Sequence, residues 1–339
     1  MRSRRRRWTP AAAVIVTAAA VWLSVRKTDW GGVREAFVRA DYGLVAAAVG
    51  VSLLAVVALS VRWRFLLRPG GDVGVGELFK LNIVSQAINI LAPGRFGEVA
   101  RSVMVARTGG DAGGGISTAF ALGTVAVEKA LDFLVFVVLW ALVPALFSMR
   151  TAVREYTAAA VLGGVLAAVL AVFAWKPESV LRAAGKALRF LPAKFRSGGA
   201  DFAEKGVEAF RILRRPGAAP VLGGLTLLVL AGEVLPIWLL FRALGLDVPF
   251  WTAFFVLIVL QVGKLPPSLP GKIGVYQFAV IMALAPFGVE RDAALGYGIM
   301  LHIVTFVPRI VLGLVFGAGM GAAIWRGGMP AENREAGAK

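Results

Sequence analysis

The chain has no cysteine and a single histidine, His302, among its 339 residues. That rules out disulfides, a thiol nucleophile and cysteine-ligated metal. One histidine also leaves no histidine cluster for a metal and little basis for a Ser-His-Asp set. No Gly-x-x-x-x-Gly-Lys-Ser/Thr run is present, so nothing marks ATP-driven transport. Gly109 to Gly115 is glycine-rich, but it lacks the Lys-Ser/Thr pair and a preceding strand. Charge is scarce too, at 17% of residues. No cofactor and no metal are expected.

What the chain has is apolar length. It is 58% hydrophobic, and several runs approach the roughly 20 residues that a spanning helix needs. The composition is that of an integral membrane protein. The formal charge of +17, from 37 Lys and Arg against 20 Asp and Glu, gathers in short loops. Loops of that kind orient spans against anionic headgroups, so no nucleic-acid partner is implied.

Arg2 and Arg4 to Arg7 precede an apolar run from Pro10 to Val25. A cleaved signal peptide starts in the same way, with Ala18-Ala19-Ala20 resembling a cleavage site. Arg26 and Lys27, directly after the run, favour a retained first helix with a cytoplasmic N-terminus. Residues 28–41 read as an amphipathic interfacial helix. A span from Tyr42 to Val61 ends at Arg62, Arg64 and Arg68, a cytoplasmic flank. Glu77 to Ala92 and Val99 to Ala106 are short pieces on either side of Pro93-Gly94. Ile116 to Phe147 is one long run that leads outward, and Ala158 to Trp175 returns. Ten Lys or Arg against four acids lie between Lys176 and Arg215. With Val180, Leu181, Ala184, Leu188 and Leu191 at helical spacing, that segment suits a helix on an anionic leaflet. Val221 to Leu240 is another span, and Phe250 to Val262 and Ile273 to Ala285 are two more half-length pieces. Ala293 to Trp325 is the last span, with a cytoplasmic tail.

The expected fold is all-α, a polytopic bundle of roughly six to eight spans with two broken helix hairpins. Residues 1–339 form a single transmembrane domain. Its halves, 42–175 and 220–325, are joined by the basic segment 176–219. Span counting brings the first hairpin in from the cytoplasm and the second from outside, the trace of an inverted repeat. The alternative is that each short pair crosses fully.

Charges inside spans cost at least about 2.5–3.5 kcal/mol each and need partners or water. Glu128, Lys129 and Asp132 sit in the middle of one run. Glu128 and Asp132 share a helix face, and Lys129 can pair with Asp132. They either line a site or form a self-satisfied polar knot. At the first break, Arg95, Glu98 and Arg101 follow Asn89. A half-helix beginning near Gly97 would favour an anion there, with both arginines donating to a phosphate, unless they are ordinary interfacial arginines. At the second break, Lys264 and Lys272 bracket a proline-rich turn and Gln277 lies inside the following half-helix. The lysines either bind substrate or snorkel. Glu233, beside Pro236, needs a partner, and Arg309 is the candidate. His302 reads as a packing hydrogen-bonder more readily than a proton relay.

Three motifs carry a resemblance. They are Pro93-Gly94-Arg95-Phe96-Gly97-Glu98 with Arg101, Glu128-Lys129-x-x-Asp132, and Pro270-Gly271-Lys272-Ile273-Gly274-Val275-Tyr276-Gln277. In order and spacing the chain resembles the lysylphosphatidylglycerol synthase transmembrane-region family, also described as flippase-like, over roughly residues 10–325. It departs from that family where Lys272 replaces a glycine, Gln277 replaces an acid and Lys129 replaces an arginine. The family's synthases follow this module with a soluble aminoacyl-transferase domain, whereas only a short tail follows Trp325 here. The resemblance therefore implies the lipid-translocating half without the synthetic half.

The resulting expectation is a non-enzymatic transporter of the cell membrane that moves an anionic phospholipid or lipid-linked headgroup between leaflets. Arg95, Arg101 and Lys272 would hold the headgroup, while Glu98, Glu128 and Asp132 balance charge. Two other classes fit the composition. One is a membrane scaffold that recruits lipid-modifying enzymes through the basic segment. The other is an embedded transferase acting on a polyprenyl-phosphate donor.

Overall fold

The computed structural model describes residues 17–26, 28–92, 96–108, 115–146, 176, 181–182, 193–263 and 270–327. Several expectations lie outside these residues: Arg95 at the first break, Lys264 at the second, the span Ala158 to Trp175 and most of the first half of the basic segment.

Among the described residues the regular structure is helical, with no strand. In chain order the helices are α1 (residues 17–25), α2 (Trp30–Val38), α3 (Tyr42–Leu67), α4 (Val75–Leu91), α5 (Phe96–Thr108) and α6 (Thr118–Leu146). They continue with α7 (Ala193–Glu208), α8 (Ala218–Ala243), α9 (Thr252–Gly263), α10 (Val275–Leu284) and α11 (Arg291–Gly327). Aspartates open the early ones. The Asp29 carboxylate accepts from the Gly31 amide, and that of Asp41 accepts from Gly43 and Leu44, which satisfies otherwise orphaned amides.

Helices α3, α8 and α11 are long and apolar enough to cross a membrane. The 29-residue α6 has the length as well, with Glu128, Lys129 and Asp132 inside it. The chain is an all-α helical membrane protein. Its broken pieces are shorter. At about 1.5 Å per residue, the 17 residues of α4 reach about 26 Å, and the 13, 12 and 10 residues of α5, α9 and α10 reach about 20, 18 and 15 Å, against a hydrocarbon core of about 30 Å.

Helix α3 packs along α8, and there Gly232 lies so close to Ala55 that a Cβ on the glycine would collide with the alanine methyl. Helix α4 packs on α5, α3 and α11. Helix α9 packs on α10, α8 and α6, and α10 packs on α11. One apolar cluster joins Leu240, Phe241, Leu284, Tyr297 and Leu301, and a second joins Trp63, Leu67, Leu78, Leu81 and Phe120.

One expectation changes. The second span does not stop at Val61, because α3 continues to Leu67 and Arg62 is fully buried within it. Residues two apart on a helix point about 200° from each other, so Arg62 and Arg64 cannot share an environment. Arg64 instead meets Asp72 at the surface, with two hydrogen bonds of 2.9 Å. The described later part of the basic segment, through α7 and the turn Ala209–Arg214, packs against α6, burying Ala209, Phe210 and Ile212. A Cβ on Gly123 of α6 would collide with the Gly206 carbonyl.

Candidate functional site

The first break is closed from within. Ala92 leaves α4 in an extended conformation, and Asn89, less than one turn earlier, reaches across to α5. Its Oδ1 accepts from the Gly97 amide at 2.8 Å, and its Nδ2 donates to Glu98 Oε2 at 2.9 Å. Glycine is required at 97, since a Cβ there would strike the Ser85 carbonyl and the Asn89 side chain. The Gly97 amide, expected to be open to an anion, is therefore satisfied by Asn89.

Arg101 turns inward and is no interfacial arginine. Its Nη2 meets Glu128 Oε1 at 2.5 Å, its Nη1 donates to Asn82 Oδ1 at 2.5 Å, and its guanidinium lies 4.5 Å over the Trp63 ring. Asn82 passes the contact on by donating to Ser60 Oγ at 3.0 Å, and Trp63 Nε1 donates to Thr124 Oγ1 at 3.0 Å. Arg62 completes the other side, with Nη1 at 2.7 Å from Asp132 Oδ1 and 3.2 Å from Thr226 Oγ1. Glu128 and Asp132 thus each take an arginine from another helix, beyond their sequence neighbour Lys129.

Lys129 stays at the rim. Its Nζ lies 3.9 Å from Glu98 Oε1, from Glu128 Oε1 and from Asp132 Oδ2, beyond hydrogen-bond reach of each, and the side chain is 48% exposed. Three cations (Arg62, Arg101, Lys129) face three carboxylates (Glu98, Glu128, Asp132), so the cluster is formally neutral. Its interior is a polar knot, while Lys129, Glu98 and Asp132 form an open edge. Arg62 Nε and Nη2, Arg101 Nε and Glu128 Oε2 are buried without a hydrogen-bond partner among the described residues.

The second break follows the same logic with different residues. Gln277 Oε1 accepts from the Gly274 amide at 2.7 Å, as Asn89 does for Gly97, and its Nε2 lies 3.2 Å from His302 Nδ1. His302 packs between Tyr276 and Phe306, at ring distances of 4.9 and 4.2 Å. Lys272 is half-buried in the turn and adopts a left-handed backbone, φ 54°, at the position where the family pattern has glycine. Gly274 is left-handed as well (φ 81°), and a Cβ there would collide with Val21 of α1.

Glu233 and Arg309 line one cavity of about 70 Å³ between α3, α8, α9, α10 and α11, together with Ser52, Tyr276 and Thr305. They interact electrostatically, but no ion pair closes between them. Arg309 Nη2 donates instead to Ser52 Oγ at 3.0 Å. Of the expected residues, the structure thus gathers Asn89, Glu98, Arg101, Glu128, Lys129 and Asp132 at one place. Glu233 and Arg309 share a second place, and Lys272 and Gln277 a third.

Arg62, Trp63, Asn82 and Ser52 were not singled out from sequence as site residues. A faint signal existed for one of them: Asn82 and Asn89 are seven apart and share a face of α4, the face that meets α5.

The lysylphosphatidylglycerol synthase TM region family matches residues 11–313, a stretch that takes in both breaks and both charged sites. A UPF0104 membrane protein of Methanothermobacter thermautotrophicus (strain Delta H) is 25% identical over 296 residues, which is 81% of this chain and 85% of that protein. No solved structure matches. An all-α membrane protein whose matched stretch takes in both helix breaks and the charged α6, the chain belongs to the lysylphosphatidylglycerol synthase transmembrane-region family.

Proposed function

We propose that the protein moves an anionic phospholipid, or an anionic lipid-linked headgroup, between the leaflets of the cell membrane, with both termini in the cytoplasm. The observation that carries this is the open edge of the six-charge cluster. Lys129 is a half-exposed cation inside a membrane helix, held at 3.9 Å by three carboxylates and hydrogen-bonded to none. A headgroup phosphate can take Lys129 from them with little rearrangement, and the sequence position of Arg95, between α4 and α5, makes it the proposed second donor. Arg62 and Arg101 hold Asp132 and Glu128 in place behind the edge, and Asn89 positions Glu98. Acyl chains stay in the bilayer, so no enclosed pocket is needed. With no ATP motif, net movement follows a gradient or the differential affinity of two states.

The arrangement of helices supports an inverted repeat. A long helix, two short ones and a long helix occur twice, as α3–α6 and α8–α11. The two leading helices pack on each other. Helix α4 packs on α11, the last helix of the other half, and α9 likewise packs on α6. This exchange is what a two-fold axis through the α3–α8 contact would produce. The basic segment 176–215 holds the connection against an anionic leaflet.

The test is lipid movement in liposomes reconstituted with purified protein, using a headgroup-labelled anionic phospholipid. Wild type moves it, and the Arg95→Ala, Lys129→Ala double variant loses at least tenfold in rate. Equal rates would remove the site from the mechanism. Failure of wild type to move any lipid, with protein anchored at the surface, would favour a scaffold, and product from a polyprenyl-phosphate donor would favour a transferase.

A further inference from the structure

The cavity between Glu233 and Arg309 has two chemically opposite walls. On α8, Pro236 has no amide proton, so the carbonyl four residues earlier, that of Gly232, loses its helical donor. Gly232 and Glu233 both line the cavity, so one wall offers a carboxylate and a freed carbonyl, both acceptors. The opposite wall donates. Arg309 Nε is buried with no hydrogen-bond partner, and Ser52, having accepted from Arg309 Nη2, still has its own hydroxyl proton to give. Tyr276 is occupied by its hydrogen bond with Thr305, so it adds shape more than a free donor.

The two charges cancel overall but do not touch. A lone cation or a lone anion would satisfy one wall and be repelled by the other. A small dipolar ion, with an ammonium toward Glu233 and the Gly232 carbonyl and an anionic oxygen toward Arg309 and Ser52, satisfies both. We propose that this cavity is a second binding site that takes the amine-bearing end of a zwitterionic headgroup, of the phosphoethanolamine type. The volume of about 70 Å³ suits that polar end and no more, which leaves the rest of an attached lipid outside, and the exposed flank of Glu233 is the side of entry. The inference goes beyond the transport reading and does not depend on it, because binding alone decides it. Water bridging Glu233 to Arg309 is the competing occupant.

The experiment is competitive lipid binding to the purified full chain in mixed micelles, read by native mass spectrometry. Probes are phosphatidylethanolamine, phosphatidylglycerol and an N-acylated phosphatidylethanolamine. Wild type should prefer phosphatidylethanolamine at least fivefold over both lipids that lack the free amine. Glu233→Gln should abolish that preference, Arg309→Gln should weaken binding of all three, and Gly76→Ala, where an added Cβ meets nothing within 4 Å, should leave the preference intact. Soluble phosphoethanolamine that competes as well as the lipid would keep the zwitterion and identify a free solute as its source. Equal binding of the three lipids by wild type, or an unchanged preference in a folded Glu233→Gln protein, would overturn the proposal and leave water as the occupant. Wild type that shows the preference yet moves no lipid in liposomes would sink the transport reading alone.

Discussion

Breaking the Arg101–Glu128 pair should be among the most damaging changes available outside the apolar core. Arg101 is 3% exposed and Glu128 0%, at a separation of 2.5 Å, so neither charge can turn to solvent when its partner is lost. Removing one member of such a pair costs about 3–5 kcal/mol, roughly two to nearly four powers of ten in the folding equilibrium. Glu128→Ala leaves Arg101 over Trp63 and turns the neutral cluster into one of net +1, with Arg62, Arg101 and Lys129 against Glu98 and Asp132. Arg101→Ala also strips Asn82 Oδ1 of its donor and removes the cation–π contact, adding about 1–3 kcal/mol for the orphaned acceptor. The combined Arg101→Met, Glu128→Leu protein should recover most of the loss. It removes one charge of each sign, fills the volume, and leaves two cations facing two carboxylates. Denaturant titration in detergent, followed by tryptophan fluorescence, measures the two Ala variants and the cycle formed by wild type, Arg101→Met, Glu128→Leu and their combination. Singles that cost under about 1 kcal/mol, or costs that simply add, would refute the claim that this pair organises the cluster.

Other expectations are narrower. Gly97→Ala should destabilise by about 1–3 kcal/mol by forcing α5 away from Ser85 and Asn89, while Gly76→Ala on α4, where a Cβ meets nothing within 4 Å, serves as the harmless control in the same thermal assay. Lys272→Gly should raise the unfolding temperature, since a left-handed non-glycine costs about 1–2 kcal/mol; a lower value would show that the lysine side chain outweighs its backbone. Hydrogen bonding from Arg64 holds Asp72 below the usual carboxylate range, so its contribution is full above about pH 4 and fades as pH falls further. Asp72→Asn should therefore match wild type in strong acid and fall below it near neutrality, by a margin that salt reduces when thermal unfolding is compared across pH.

The long helices and both breaks were legible because they rest on local properties, namely apolar length and the inability of Pro-Gly to continue a helix. Tyr42, Val75, Phe96 and Val275 open helices within a few residues of the expected places. The wiring of the charges was not legible. Arg62 follows an apolar run and reads as a flank, and only Asp132 and Thr226, on other helices, make its burial tolerable. Glu98 and Arg101, one turn apart on α5, go to different partners, the first to Asn89 and Lys129 and the second to Asn82 and Glu128. The amide caps supplied by Asn89 and Gln277 escaped notice for the same reason. Each depends on how a chain folds back after a break, which composition does not record.

The seat of the second break on the first helix has a consequence in time. Ser24 Oγ donates to the Gly274 carbonyl, and Val21 fills the space where a Cβ on Gly274 would lie, across a sequence separation of 250 residues. At a synthesis rate of about 5–20 residues per second, the first helix is made roughly 12–50 seconds before its partner exists. Throughout that interval its Ser24 hydroxyl has only the Ala20 carbonyl, 2.7 Å away, to satisfy it. Residue 24 thus waits as a self-satisfied placeholder, and this contact closes only after Gly274 has been made.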